Sequence, residues 1–268
     1  MALFNRTGII IKSAFGLPGA ELPEVYDVEG DLVHTPDFLP TAVLTALSNV
    51  PISGTKQGAC TDGEYIYAIN FTTNDVAGVF IKYKITDGTY TTTPFDSSIP
   101  YNHANDMCYN PNNRHIYVAA MSSDGAVIEI DTDFNYVDTH YLLRPNNTPY
   151  KVWRLCFDQK TNRFMSDFGA NDKMLIYDTN FNLVEQIFLS AIPSATAQGC
   201  ETDGEYIYHI WYNPNLIHIS TIGGTYVATM VNPMSGEPEA MMFDWIHKKY
   251  YINKNTSGEV FWEVQLTP

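Results

Sequence analysis

Positive charge is scarce in this sequence: 15 Lys and Arg stand against 30 Asp and Glu, a formal net charge of −15 over 268 residues. Such a surface repels phosphate backbones, so nucleic acid is not expected as a partner. No apolar run approaches 18 residues, which excludes a transmembrane helix, and no membrane insertion is expected. Gly8-Ile9-Ile10-Ile11 is too short for the apolar region of a secretory signal and Lys12 interrupts it, so the mature chain is expected to start here. No G-x-S-x-G, H-E-x-x-H or glycine-rich phosphate loop occurs. Few stretches carry apolar residues at helical period, which leaves strands as the main element.

What the sequence does have is repetition. Gln57–Tyr67 (Q-G-A-C-T-D-G-E-Y-I-Y) returns at Gln198–Tyr208 as Q-G-C-E-T-D-G-E-Y-I-Y. Weaker copies follow the same order of apolar run, turn and strand: Met107-Cys108-Tyr109 before Asn110-Pro111-Asn112-Asn113, Leu155-Cys156-Phe157 before Asp158 to Asn162, and Met241-Met242-Phe243 before Asp244 to Lys248. Cys60, Cys108 and Cys156 are 48 residues apart each time, and the unit, about 41 to 48 residues long, occurs five times. A period in the forties built from strands predicts propeller blades of four strands each. In the best-preserved unit Ala104–Cys108 reads as the inner strand, His115–Met121 as the second, Ala126–Asp131 as the third and Tyr136–Leu143 as the outermost. Asn-Pro-Asn-Asn, Ser-Asp-Gly and Asp-Thr-Asp-Phe-Asn between them suit turns.

The last unit has letters for only three strands, ending at Glu259–Leu266. Thr41–Val50 is expected to supply the fourth, because Leu47-Ser48-Asn49-Val50-Pro51 matches Leu189-Ser190-Ala191-Ile192-Pro193 in order and type. The predicted fold is therefore all-β, a five-bladed propeller over residues 41–268 whose last blade is closed by an N-terminal strand. Residues 1–40 form a separate extension, where the density of Pro and Gly predicts neither regular strands nor a helix. It either packs along the propeller's flank or docks on a partner.

Three cysteines fall at one position of successive blades and Cys200 one place off it, so buried free thiols are expected. Asp62-Gly63 and Asp203-Gly204 read as hairpin turns, not cation loops. His34, His115, His140, His209, His218 and His247 are scattered without ligand spacing and are expected at the surface or satisfied. The inner strands would begin around one end of the channel, ringed by Gln57, Asn105, Trp153, Gln198 and Glu239, with His103, Lys151, Asp106 and Arg154 beside them. Amides, carboxylates and one indole suit a carbohydrate-like ligand; the same side chains equally serve to plug the axis. A divalent ion would need several oxygen ligands, and only Asp106 and Glu239 are carboxylates here, with Arg154 nearby.

The Q-G-x-x-x-D-G-x-Y-I-Y form, with Leu175-Ile176-Tyr177-Asp178 ahead of Leu183-Val184, resembles the propeller domains of receptor-binding and tail proteins of phages of Gram-positive bacteria, shared with a protein of teichoic-acid gene clusters. The resemblance covers roughly residues 41–268 and implies a propeller on a virion that recognises a cell-surface glycan or serves as a structural module. The expectation is a non-enzymatic virion component, assembled in the host cytoplasm and present in multiple copies. It would be attached to other virion proteins through residues 1–40 and bind host cell-surface polysaccharide at Gln57, His103, Asn105, Asp106, Trp153, Arg154, Gln198 and Glu239. No catalytic residue, metal or cofactor is expected. The alternatives are a metal-dependent lactonase- or esterase-like hydrolase and a scaffold for protein–protein interaction.

Overall fold

A computed structural model describes residues 41–73, 77–167, 172–255 and 260–266, together with the backbone of four short strands before residue 41. Those four are β1 (Leu3–Phe4), β2 (Ile10–Lys12), β3 (Glu24–Tyr26) and β4 (Leu32–His34), paired in order as a small antiparallel sheet of their own. This corrects the expectation that Pro and Gly exclude strands from the extension. Pairing needs only two or three residues at a time, and the strands fit between the prolines and glycines.

After β5 (Val43–Ala46), the propeller proper begins with β6 (Thr55–Thr61), β7 (Tyr65–Thr73), β8 (Ala77–Lys84) and β9 (Tyr90–Pro94) as the first blade. The second blade is β10 (Asp106–Asn110), β11 (His115–Ala119), β12 (Ala126–Asp131) and β13 (Tyr136–Tyr141). The third is β14 (Arg154–Asp158), β15 (Arg163–Asp167), β16 (Lys173–Tyr177) and β17 (Leu183–Phe188). The fourth is β18 (Thr196–Thr202), β19 (Tyr206–Tyr212), β20 (Leu216–Thr221) and β21 (Tyr226–Val231). In the fifth, β22 (Pro238–Asp244), β23 (Lys249–Lys254) and β24 (Phe261–Gln265) are completed by β5, with Trp262 opposite Ala46 and Gln265 opposite Val43. There is no helix among the described residues, and each blade is an antiparallel meander. The N-terminal closing strand is thus in place, which removes an exposed edge.

The inner strands are buried nearly throughout, because each is flanked by its neighbours around the axis. β10 starts two residues later than the letters suggest, since Asn102 and Ala104 take positive φ angles of 48° and 23° that break the ladder. The apolar interior is divided among the junctions between blades. Cys60, Tyr67, Phe80, Met107 and Phe134 lie between the first and second, and Tyr117, Phe157, Phe164 and Phe181 between the second and third. All four cysteines are free and buried, as expected.

The repeated Asp-Gly segments are turns with a built-in brace. Asp62 Oδ1 accepts from the N–H groups of Glu64 and Tyr65, its Oδ2 accepts from Tyr67 O–H at 2.7 Å, and Gly63 supplies a φ of +91°. Asp203, Gly204 and Tyr208 repeat the arrangement. The motif's Asp, Gly and Tyr are therefore accounted for by the fold.

Candidate functional site: the mouth of the channel

The position after each ring residue decides what fills the axis. It is Gly58, Asp106, Arg154, Gly199 and Ala240 in the five blades. A Cβ on Gly58 would stand 2.6 Å from the Asp106 carbonyl carbon, and one on Gly199 would stand 3.1 Å from Asp106 Oδ1. Gly58 thus lets the Asp106 backbone approach the first blade, and Gly199 makes room for the Glu239–Ala240 backbone and the Asp106 carboxylate.

Asp106 reaches across the axis. Its Oδ2 accepts from the Leu155 N–H and the Cys200 N–H, both at 3.0 Å, and its Oδ1 from the Met107 N–H at 3.0 Å, so one side chain ties the second, third and fourth blades together. Burial pushes its carboxyl well above the ordinary range, and those three N–H groups pull it back only in part. Asn105 also spans blades, donating from Nδ2 to Trp153 O at 3.2 Å.

Arg154 turns away from the mouth into the junction of the third and fourth blades, where it is fully buried. Its Nε donates to Gln198 O at 2.8 Å and its Nη1 to Asp167 Oδ2 at 3.2 Å, and the guanidinium lies 4.3 Å from the Trp211 ring centre. His209 and His218 continue this network, with Ser220 Oγ 3.5 Å from His209 Nε2 and His218 Nδ1 3.2 Å from Thr229 Oγ1. Both histidines are buried, and of the two expected places, surface or satisfied, they take the second, with polar partners for each. Burial and then the Arg154 charge hold their pKa values down, well below the usual value for His209 and to about 4 for His218. His115 and His140, by contrast, are half-exposed and clasp opposite oxygens of Glu129 at 2.6 Å each.

Gln57 and Gln198 stand on β6 and β18, the inner strands on either side of the β22 strand that carries Glu239. Asn253 binds the fifth blade to the first, accepting from the Ala240 N–H at 2.6 Å through Oδ1 and donating through Nδ2 to Gln57 O. Gln198 Nε2 donates to Glu237 Oε1 at 2.8 Å, and Asn255 Nδ2 to Glu237 Oε2 at 3.1 Å. Within this frame Glu239 is 1% exposed; neither carboxyl oxygen has a donor in good hydrogen-bond geometry among the described residues, the Asn255 side chain giving it only weak support, and Gln57 Oε1 is likewise unmatched. Burial first, then the neighbouring Glu237 charge, drive the Glu239 carboxyl well above the ordinary range, against a smaller opposing pull from Asn255. Such a shift favours the protonated form, which can donate a hydrogen bond or a proton, over the carboxylate.

Trp153 and Lys151 form the half-buried third-blade side of the mouth, with the Lys151 ammonium 5.7 Å from the indole centre. His103 is half-buried in the loop before β10. Glu237, Asn253 and Asn255 are the participants that sequence reasoning missed. Asn253 ends a second strand, where nothing in the letters marks it. Glu237, in Glu237-Pro238-Glu239, does leave a signal: two carboxylates bracketing a proline at the start of an inner strand. Among the described residues no group of three His, Cys, Asp or Glu is placed to hold a metal ion. The donor set agrees, since Asp106 is committed to N–H groups and Arg154 to a different junction.

No protein-family model and no curated protein matches the chain. Solved structures do. The fold is similar to a glutaminyl cyclase from Myxococcus xanthus, with a TM-score of 0.63 and 10% identity over 85% of this chain and 98% of that one. It is also similar to a luciferin-regenerating enzyme (0.54, 9%, 84% and 95%) and to a gluconolactonase from Xanthomonas campestris (0.52, 11%, 85% and 91%). At such identities the likeness establishes the propeller fold. The expectation of a non-enzymatic protein is corrected to this extent: the propellers of similar fold are enzymes, so neither the fold nor the absence of familiar nucleophile motifs argues against catalysis.

Proposed function

We propose that this chain is an enzyme that transfers or hydrolyses a small acyl group at the mouth of its channel, with Glu239 as the acid–base residue. The observation that carries the reading is a fully buried carboxyl, weakly supported by the Asn255 side chain and with no donor in good hydrogen-bond geometry among the described residues, driven toward its protonated form. A protein does not maintain such a group for stability, since an unsatisfied buried carboxyl costs free energy. The protonated acid donates to the oxygen of an ester or amide carbonyl, or to the departing group. The resulting carboxylate then takes a proton from the incoming water or amine. Glu237, held by Gln198 and Asn255, keeps a negative charge beside it that favours recapture of that proton. Gln57 and Gln198 flank the reacting position from the neighbouring inner strands.

Similar propellers with lactonase and glutaminyl cyclase activity support testing both branches of acyl chemistry. The experiment is a turnover screen on aliphatic lactones, acyl esters of simple sugars and peptides with N-terminal glutamine, with wild type and Glu239→Gln side by side. The reading expects turnover in one branch and a loss of about a hundredfold or more in the Gln variant, the usual worth of a general acid. Turnover undiminished in Glu239→Gln, or none in any branch, overturns it.

The resemblance of Gln57–Tyr67 and Gln198–Tyr208 to phage tail and receptor-binding proteins supports a placement on a virion. There residues 1–40 would serve as the attachment and an acylated cell-surface polysaccharide as the substrate. Antibody labelling of purified particles tests the placement, and particles without the protein refute it.

A further inference from the structure

In two blades the turn after the third strand carries a residue that plugs the junction with the preceding blade. In the second blade it is Phe134, whose N–H donates to Asp131 O at 3.0 Å and whose ring stacks on Phe80 at 4.6 Å. In the third it is Phe181, whose N–H donates to Asp178 O at 3.0 Å and whose ring stacks on His140 at 4.2 Å. In the fourth blade the same turn bond runs from the Gly224 N–H to Thr221 O at 2.8 Å, and no ring follows from it. No side chain fits there either, since a Cβ on Gly224 would stand 2.2 Å from Phe188 O and φ is +86°.

The walls of this junction have changed with the plug. Where the second blade presents Tyr117, the third presents Met165, 48 residues on. The cluster here, of Cys156, Met165, Met174, Ile176, Ile187, Leu189, Cys200 and Ile207, contains no aromatic residue, unlike those of the two plugged junctions. A partly open cavity of about 130 Å³ lies here, with Met165, Ile176, Ile187 and Ile222 as its apolar walls and Asp158, Thr161, Arg163, Glu185 and Gly223 completing the lining. It opens toward the face opposite the channel mouth, beside the turn that ends the inner strand β14.

We propose that this slot is a binding site for a small aromatic molecule, a single ring seated where Phe134 and Phe181 sit in the sister junctions. The volume supports one ring and little more, since an engineered apolar cavity of ~150 Å³ takes up benzene. The inference is independent of the chemistry assigned to the mouth.

Fluorobenzene is the probe, followed by its ¹⁹F signal and by nuclear Overhauser contacts to assigned methyl groups of the full chain. The expected result is saturable one-to-one binding in the millimolar range or tighter, with contacts to the methyls of Met165, Ile176, Ile187 and Ile222. Met165→Tyr, which restores the second blade's residue, is expected to weaken binding at least tenfold. Absence of saturable binding, contacts confined to other methyls, or undiminished binding by a folded Met165→Tyr protein overturns the proposal. If that variant does not fold, the contacts on the wild-type chain decide alone.

Discussion

Deleting residues 1–50 removes the strand on which ring closure depends, whereas deleting residues 1–40 leaves it intact. The β5–β24 ladder has four residue pairs, and the same segment makes bonds from the Ala42 N–H to Val231 O, the Leu47 N–H to Phe261 O and the Ser48 N–H to Tyr83 Oη. Half a dozen such bonds at about 1 kcal/mol net each contribute on the order of 6 kcal/mol. Burial of Ala42 and Val50 with partial cover of Leu44 and Leu47 adds roughly 4 kcal/mol more. The loss, about 10 kcal/mol, is comparable to the whole stability of a typical domain. Urea titration followed by circular dichroism and tryptophan fluorescence should show a single cooperative transition for the shorter deletion. The longer one should give an unfolded or non-cooperative chain. A 51–268 protein that unfolds like 41–268 would refute the closure argument.

Three further outcomes follow from the described contacts. Asp106→Ala orphans the Leu155 and Cys200 N–H groups and should cost about 2–6 kcal/mol in urea denaturation. Asp106→Asn, which keeps one acceptor and removes a buried charge, should cost less than half of that. Phe181→Ala should destabilise by about 3–5 kcal/mol and open a second slot, visible as a second fluorobenzene site. For the histidines, the folded values are depressed, so the unfolded chain binds more protons below its own value of ~6.5 and stability falls as the pH is lowered from there. For His218, whose value is about 4, the loss down to that pH approaches 3 kcal/mol, at about 1.4 kcal/mol per unit. His218→Gln should flatten the slope of stability between pH 6.5 and 4, and an unchanged slope would contradict the assignment.

The five blades and their closure were legible because each rests on local signals that recur, namely alternating strands, Asp-Gly turns and the Leu-Ser-x-x-Pro lead into the first and fourth blades. That Gln57, Gln198 and Glu239 occupy equivalent places near the starts of neighbouring inner strands was legible for the same reason. What single positions could not reveal was direction. Asp106 is tied to N–H groups of the third and fourth blades and Arg154 to the Gln198 carbonyl and Asp167 at the junction of those blades, partners that belong to the whole ring and not to one position. Asn253 was hidden for a related reason, since its role comes from joining the fifth blade to the first across most of the chain. The slot between the third and fourth blades was written in the letters as Gly224 opposite Phe134 and Phe181, but only the turn bonds establish that these are equivalent positions.

The state of the Glu239 carboxyl is the foundation of the functional reading. A ¹³C NMR titration of that side chain, assigned by comparison with Glu239→Gln, reports it directly. The account predicts a midpoint well above the ordinary glutamate value of 4.5. A midpoint at or below 4.5 would mean a solvated or paired carboxylate, and the acid–base role would have to be abandoned.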